Sequence, residues 1–198
     1  ILTETVIAFM KEHPAVKLNI CYKTMEELME KLTKRELDFV LSFRPSSLHP
    51  EIESHILFDN HLAVLMNRNH PLAEKEKLTL EELLPHRIAM PSKGLQSRNT
   101  FDNLFPHAHE NLHIVAEIND VNVLLDVVSR TGLVTILSEA VVSQNERLKA
   151  ITLDYSDNIM QGCVHTLRNS YRKRAAEEFI KMLRDSETVR VRANKWLG

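Results

Sequence analysis

Residues 112–137 read LHIVAEINDVNVLLDVVSRTGLVTIL, and their pattern sets the fold class. Leu112–Ile118 has the length and apolar content of a strand. Asn119-Asp120 follows, where a short side-chain oxygen can accept from the free N–H groups of a helix that runs to Arg130. Gly132 is expected to close that helix in a left-handed turn, and Leu133–Leu137 is a second apolar strand. Strand, capped helix and strand in so short a span form the unit from which α/β folds with mainly parallel sheets are built.

The alternation extends in both directions. Leu2, Val6, Phe9 and Met10 fall at helical spacing, and His13-Pro14 ends this helix because the residue before proline disfavours helical angles. Val16, Leu18, Ile20 and Tyr22 alternate with Lys17, Asn19, Cys21 and Lys23, which predicts a strand. Thr24-Met25-Glu26-Glu27 has capping-box spacing and opens a helix with Met25, Leu28 and Leu32 as its apolar stripe. Strands follow at Asp38–Ser42, Ser54–Phe58 and Leu62–Met66. A second box, Thr79–Glu82, opens a short helix stopped by Pro85. Arg87–Met90 is a short buried strand, and Pro91–Gly94 turns into a helix through Phe105. After residue 137 come a helix over Glu139–Asn145, strands at Lys149–Leu153 and Ile159–Leu167, and a helix at Arg174–Arg184. The buried face of that last helix is Ala176, Phe179, Ile180 and Leu183.

Composition removes several classes of function. Lys and Arg number 25 against 27 Asp and Glu, both signs interspersed, so charge makes no case for a nucleic-acid surface on this chain. There are only 4 glycines, and neither GxGxxG nor GxxxxGKS/T occurs, which argues against a nucleotide-binding enzyme. GxSxG is absent, and the carboxylates fall at helix starts or on solvated faces, so no catalytic set assembles. His107, His109, His113 and Glu110 lack helix-face ligand spacing and suggest no metal site. Cys21 and Cys163 make neither a disulfide framework nor a CxxC site; both read as small buried strand thiols rather than a redox switch. No apolar run approaches a membrane span and no signal peptide opens the chain, so a cytoplasmic protein without cofactor is expected.

Four stretches carry a larger pattern. They are Phe9–Val16 with Phe9, Pro14 and Val16; Leu32–Val40 with Glu36-Leu37-Asp38; His70-Pro71-Leu72-Ala73 followed by Leu78–Leu83; and Glu117–Asp120 through Gly132–Leu137. In this order and spacing, over residues 1–185, they resemble the effector-binding domain of LysR-type bacterial transcriptional regulators. Three positions depart from the family's pattern: Arg35 stands where glycine is usual at a helix C-terminus, Val134 replaces a second glycine, and Ser138 replaces a proline.

The resemblance implies a type 2 periplasmic-binding-protein-like α/β fold. Two Rossmann-like lobes would be joined by two crossover strands, with a small effector in the cleft between them. Lobe I would comprise residues 1–67 plus 155–186, lobe II 68–154, and 187–198 a C-terminal extension. The family opens with a strand and a Ser/Thr-rich loop before the first helix, and this chain starts inside that helix. Lobe I is therefore expected to be truncated at its N-terminal side. The resemblance also implies a homodimer with Val16–Tyr22 and the first helix in its interface, and a tetramer for the full-length protein. DNA contact would be made only by a winged helix-turn-helix upstream of this chain.

In open α/β sheets, ligands bind beyond the carboxyl ends of strands, where helix N-termini expose N–H groups and partial positive charge. That rule selects Thr24, Pro91–Gln96 and Asn119–Val121. Thr24 either donates to a ligand carboxylate or only caps its own helix. Ser92, Lys93, Gly94 and Gln96 form the favoured loop: a hydroxyl donor, a cation, a glycine permitting close approach and an amide. Arg98 reads equally as a surface charge. Asn119 and Asp120 cap a helix first; Asn119 and Val121 are candidate contacts. Phe43 and Arg44 are candidates after the third strand of lobe I, and Thr135 with Ile136 on a lobe II strand. His165 is either a hydrogen-bond partner of the ligand or a buried structural histidine. The expected ligand is a small, anionic metabolite. A transporter's solute-binding protein is the alternative on the same fold; a phosphoribosyltransferase or dehydratase would need a phosphate loop or an acid–base set that the sequence lacks.

Overall fold

The computed structural model describes residues 2–186. It divides into two units, one formed by residues 2–59 with 161–186 and the other by Asn60–Met160. The proposed extension 187–198 lies outside the described residues.

The first unit opens with α1 (Leu2–Glu12) and α2 (Met25–Thr33). Helix α1 buries Thr5 and Phe9, while Leu2 and Met10 of the expected apolar stripe are exposed. Phe9 packs against His13 and against Phe179, with ring centroids 4.5 and 5.1 Å apart. Thr24 and Glu27 close the expected capping box of α2, and Leu32 is fully buried against Val40 and Ile52. After α2, Arg35 takes a φ of 60°, the left-handed conformation for which glycine is the usual residue.

Strands β1 (Val40–Phe43), β2 (Ile52–Asn60) and β9 (Met160–Leu167) form a three-stranded sheet in the order β1-β9-β2, with β1 antiparallel to β9. Helix α5 (Arg174–Asp185) lays Ile180 and Leu183 on Val164, and its buried face is the predicted Ala176, Phe179, Ile180 and Leu183. Gly162 lies beneath the Phe58 ring; a Cβ there would stand 2.5 Å from it, so a larger residue would displace the ring.

The strand expected at Val16–Tyr22 is absent. The segment has no regular secondary structure and pairs with no described strand, and Ile20 and Tyr22 are exposed. Alternation selects which side chains share a face; a strand also needs a neighbour to take its backbone bonds.

The second unit is built on β3 (Leu62–Asn67), whose first five residues are fully buried. It is flanked antiparallel by β7 (Thr135–Ser138) and β8 (Leu148–Leu153), with β4 (Lys77–Leu78) parallel on the far side of β8. Strands β5 (Arg87–Pro91) and β6 (His113–Ile118) pair in parallel, and bonds from Ala89 to Val134 and from Val134 to Arg87 join them to the β7 side. The sheets are thus mixed rather than mainly parallel, because β3 runs against β7 and β8, and β9 runs against β1.

Helix α4 (Val121–Arg130) puts Leu124 and Val128 on Ala63, Leu65 and Leu137, and α3 (Gln96–Leu104) buries Phe101. Gly132 does not take a left-handed turn after α4; the Thr131 hydroxyl bonds to the Val127 carbonyl instead. The segment Glu139–Gln144 is a 3-10 helix, as is Glu81–Leu83, where only the Glu82 side chain of the second box engages Thr79.

Candidate functional site

Past Pro91 the chain turns through Ser92–Leu95 into α3. The Ser92 N–H donates to the Ile118 carbonyl at 3.0 Å, and the Leu95 N–H to the Ser92 carbonyl at 3.2 Å. Gly94 holds a φ of 93°, and its N–H donates to Asn99 Oδ1 at 3.3 Å. Leu95 is the N-cap and makes no side-chain cap bond. First-turn N–H groups have no intrahelical acceptor and are usually served by Ser, Thr, Asp or Asn, so this end of α3 keeps its attraction for an anion.

The other two N-termini are already occupied. The Thr24 N–H and hydroxyl donate to Glu27 Oε2 at 3.0 and 2.9 Å, and these two bonds hold the Glu27 carboxyl below its ordinary pKa; the hydroxyl also accepts from the Glu27 N–H. Asp120 accepts from the N–H groups of Asn122 and Val123 at 2.8 and 3.0 Å, leaving Asn119 exposed and Val121 half-buried beside it.

Three ties fix the first turn of α3, and sequence reasoning did not identify them. Ser97 Oγ accepts from the Ser138 N–H at 3.2 Å, joining the helix to the end of β7. The Arg98 side chain is only 3% exposed, not a surface charge. Its Nε meets both Asp102 oxygens at 2.9 Å, and Nη1 donates to the Pro91 carbonyl at 3.2 Å and to Glu117 at 3.3 Å. Asn99 supplies the third, through Gly94. The i,i+4 spacing of Arg98 and Asp102 was the only signal available beforehand.

In the first unit, Phe43 ends β1 with its ring edge-on to Phe58, at a centroid distance of 6.5 Å. The Arg44 N–H donates to the Gln161 carbonyl at 2.7 Å, and its guanidinium reaches Gln161 Oε1 at 3.5 Å. Cys163 is buried, and that burial pushes its thiol up to about 11; Cys21 is exposed rather than buried as expected. Thr135 and His165 are both fully buried. No polar atom serves the Thr135 hydroxyl among the described residues. Nor, among those residues, does any group of three His, Cys, Asp or Glu side chains form a metal site, and no helix is long and apolar enough to cross a membrane.

The sequence matches the LysR substrate binding domain over residues 1–187. The chain belongs to that family, whose members are effector-binding domains rather than enzymes. It is 25% identical over 153 residues to the HTH-type transcriptional regulator cbl of Escherichia coli (strain K12), covering 77% of this chain and 48% of that protein. It is 31% identical over 112 residues to the uncharacterized HTH-type transcriptional regulator YybE of Bacillus subtilis (strain 168), covering 56% and 37%. The chain thus spans half or less of the length of these curated relatives.

Among solved structures, the CcmR regulatory domain of Synechocystis PCC6803 in complex with 2-PG aligns with a TM-score of 0.80 at 18% identity, over 98% of this chain and 91% of that one. The QuiR effector-binding domain in complex with shikimate aligns at 0.74 and 18%, over 92% and 88%. The fold is therefore the type 2 periplasmic-binding-protein-like α/β fold of these domains, and the relatives favour a regulator over a transporter component.

His165 gives this domain a pH dependence. Its Nδ1 lies 2.6 Å from Ser54 Oγ, and burial pushes its pKa down to about 4, against the pull of the Ser42 and Phe43 backbone. The unfolded chain therefore takes up this proton first as pH falls below about 6.5. Stability present above that pH is lost progressively toward pH 4, by about 3 kcal/mol in all for this residue. Urea unfolding at a series of pH values should show this loss in the native chain and a correspondingly smaller one in His165→Gln; equal losses in the two would assign the acid sensitivity elsewhere.

Proposed function

We propose that this chain is the sensor of a DNA-binding transcriptional regulator, and that it responds to a small anionic metabolite held at the N-terminus of α3. The uncapped first turn beside Ser92, Lys93, Gly94 and Gln96 carries the reading. A carboxylate there would accept from backbone N–H groups, favoured by the helix dipole, with Ser92 and Gln96 as donors and Lys93 as the counter-charge. Shikimate, bound by the QuiR domain, is a carboxylate of this kind. Thr24, Phe43, Asn119 and Val121 are secondary candidates. Thr135 and His165 are left out because both are enclosed.

In the full-length protein an upstream helix-turn-helix would read DNA in the cytoplasm; the relatives' names supply only the helix-turn-helix and the transcriptional role, for those proteins. The effector acts by binding one arrangement of the protein more tightly than another. A thermal-shift screen of small organic acids should find a ligand. The double variant Ser92→Ala with Gln96→Ala should weaken that ligand by about tenfold to a hundredfold, the value of two hydrogen bonds. Unchanged affinity would remove the α3 loop from the site.

The domain's partner is a second copy of itself, with tetramers formed by the full-length protein. Leu2, Ile7 and Met10 on α1 and Ile20 and Tyr22 beyond it are exposed apolar residues of the first unit; Val115 and Val123 are their counterparts on β6 and α4. These side chains are between 37% and 75% exposed, so covering one adds a fraction of the roughly 1.5–3 kcal/mol that complete burial brings. Sedimentation should show a dimer that Met10→Asp with Val123→Asp converts to monomer; a native chain that is monomeric at every concentration contradicts this interface.

A further inference from the structure

An anion arriving at the α3 N-terminus meets charges that are already largely matched, and their balance bears on which anions can stay. We propose that this site, taken as the effector site described above, selects singly charged carboxylates and rejects dicarboxylates and phosphate esters, with Glu117 as the residue that sets the limit.

Residues 91–98 contain two cations, Lys93 and Arg98. The Arg98 side chain is only 3% exposed, with Nε on both Asp102 oxygens and Nη1 on the Pro91 carbonyl and Glu117 Oε1. One positive charge there faces two carboxylates, so Arg98 adds no net attraction for a further anion. Lys93 is exposed and lines the same shallow groove as Arg98 and Glu117. The Glu117 carboxylate, whose side chain is 46% exposed, therefore opposes whatever anion Lys93 attracts.

Asp120 is the third carboxylate. The Ser92 N–H donates to the Ile118 carbonyl, which holds the loop beside the end of β6 that leads into Asp120. The bonds from Asn122 and Val123 occupy an Asp120 oxygen without removing its charge. Lys93 and Arg98 thus stand against Asp102, Glu117 and Asp120, two positive charges against three negative.

What remains attractive is the start of α3 itself, with its uncapped N–H groups and a partial charge of roughly half a unit. One carboxylate can take those N–H groups together with Lys93. A second negative charge finds no further unmatched cation within residues 91–98 and lies among the carboxylates instead.

The test is an NMR titration of the isotope-labelled 198-residue chain, at neutral pH and fixed ionic strength, with matched acids: butyrate and succinate, benzoate and phthalate, shikimate and its 3-phosphate. The singly charged member of a pair should shift the amide signals of residues 92–98 and bind at least about tenfold more tightly than its partner. In Glu117→Gln an oxygen stays available to Arg98 while the charge is lost, so the gap should narrow by about threefold or more. Lys93→Met should weaken both members. A doubly charged acid that binds as tightly as its partner, or a gap that Glu117→Gln leaves unchanged, overturns the charge selection while the α3 site stands. Shifts by these acids only outside residues 92–98, or none at all, remove the α3 site and the selection with it.

Discussion

Strand β3 imposes the constraint on which the second unit depends. Leu62–Met66 is covered on both faces, so every backbone N–H and carbonyl along it must find a partner within the protein. Strands β7 and β8 supply those partners on its two edges. Where β3 begins, the buried Asn158 side chain takes over: it accepts from the Leu62 N–H at 2.7 Å and donates to the Leu62 and Leu153 carbonyls at 2.8 and 2.9 Å. With β7 held in this register, Ser138 lies opposite Leu62, and its N–H reaches Ser97 Oγ. The direction of α3 therefore follows from the way β3 is paired.

That direction acquires chemical meaning because α3 lacks what α2 and α4 possess. Helices α3 and α4 begin past the carboxyl ends of β5 and β6, where ligands of open α/β sheets gather. Thr24 and Asp120 consume the positive ends of α2 and α4, whereas Leu95 leaves that of α3 available. Arg98 fixes the first turn through Asp102, Glu117 and the Pro91 carbonyl, and its single positive charge is outnumbered by the two carboxylates. The result is a binding end held by fixed bonds, so little ordering is required of it when an anion arrives.

Much of this was legible in the residues, and what was not has identifiable causes. The stretch 112–137 does hold a strand, an Asp-capped helix and a strand, and the buried face of α5 follows from its spacing alone. Local chemistry of this kind is decided within one turn. Pairing is not: Val16–Tyr22 alternates as a strand should, yet it has no ladder, and the antiparallel placement of β3 depends on segments far along the chain. Gly132 failed as a helix stop because the neighbouring Thr131 hydroxyl serves the terminal carbonyl first. Of the favoured loop, the sequence offered the donors and the glycine, but the burial of Arg98 depends on Pro91, Asp102 and Glu117 converging in space.

Amide hydrogen exchange resolved to single residues, in the presence and absence of small organic acids, tests the central claim most directly. Binding at the α3 N-terminus predicts that an effective acid slows exchange at Gln96, Ser97 and Arg98 while leaving the already protected β3 amides unchanged. Protection that appears only outside residues 92–98 would contradict it.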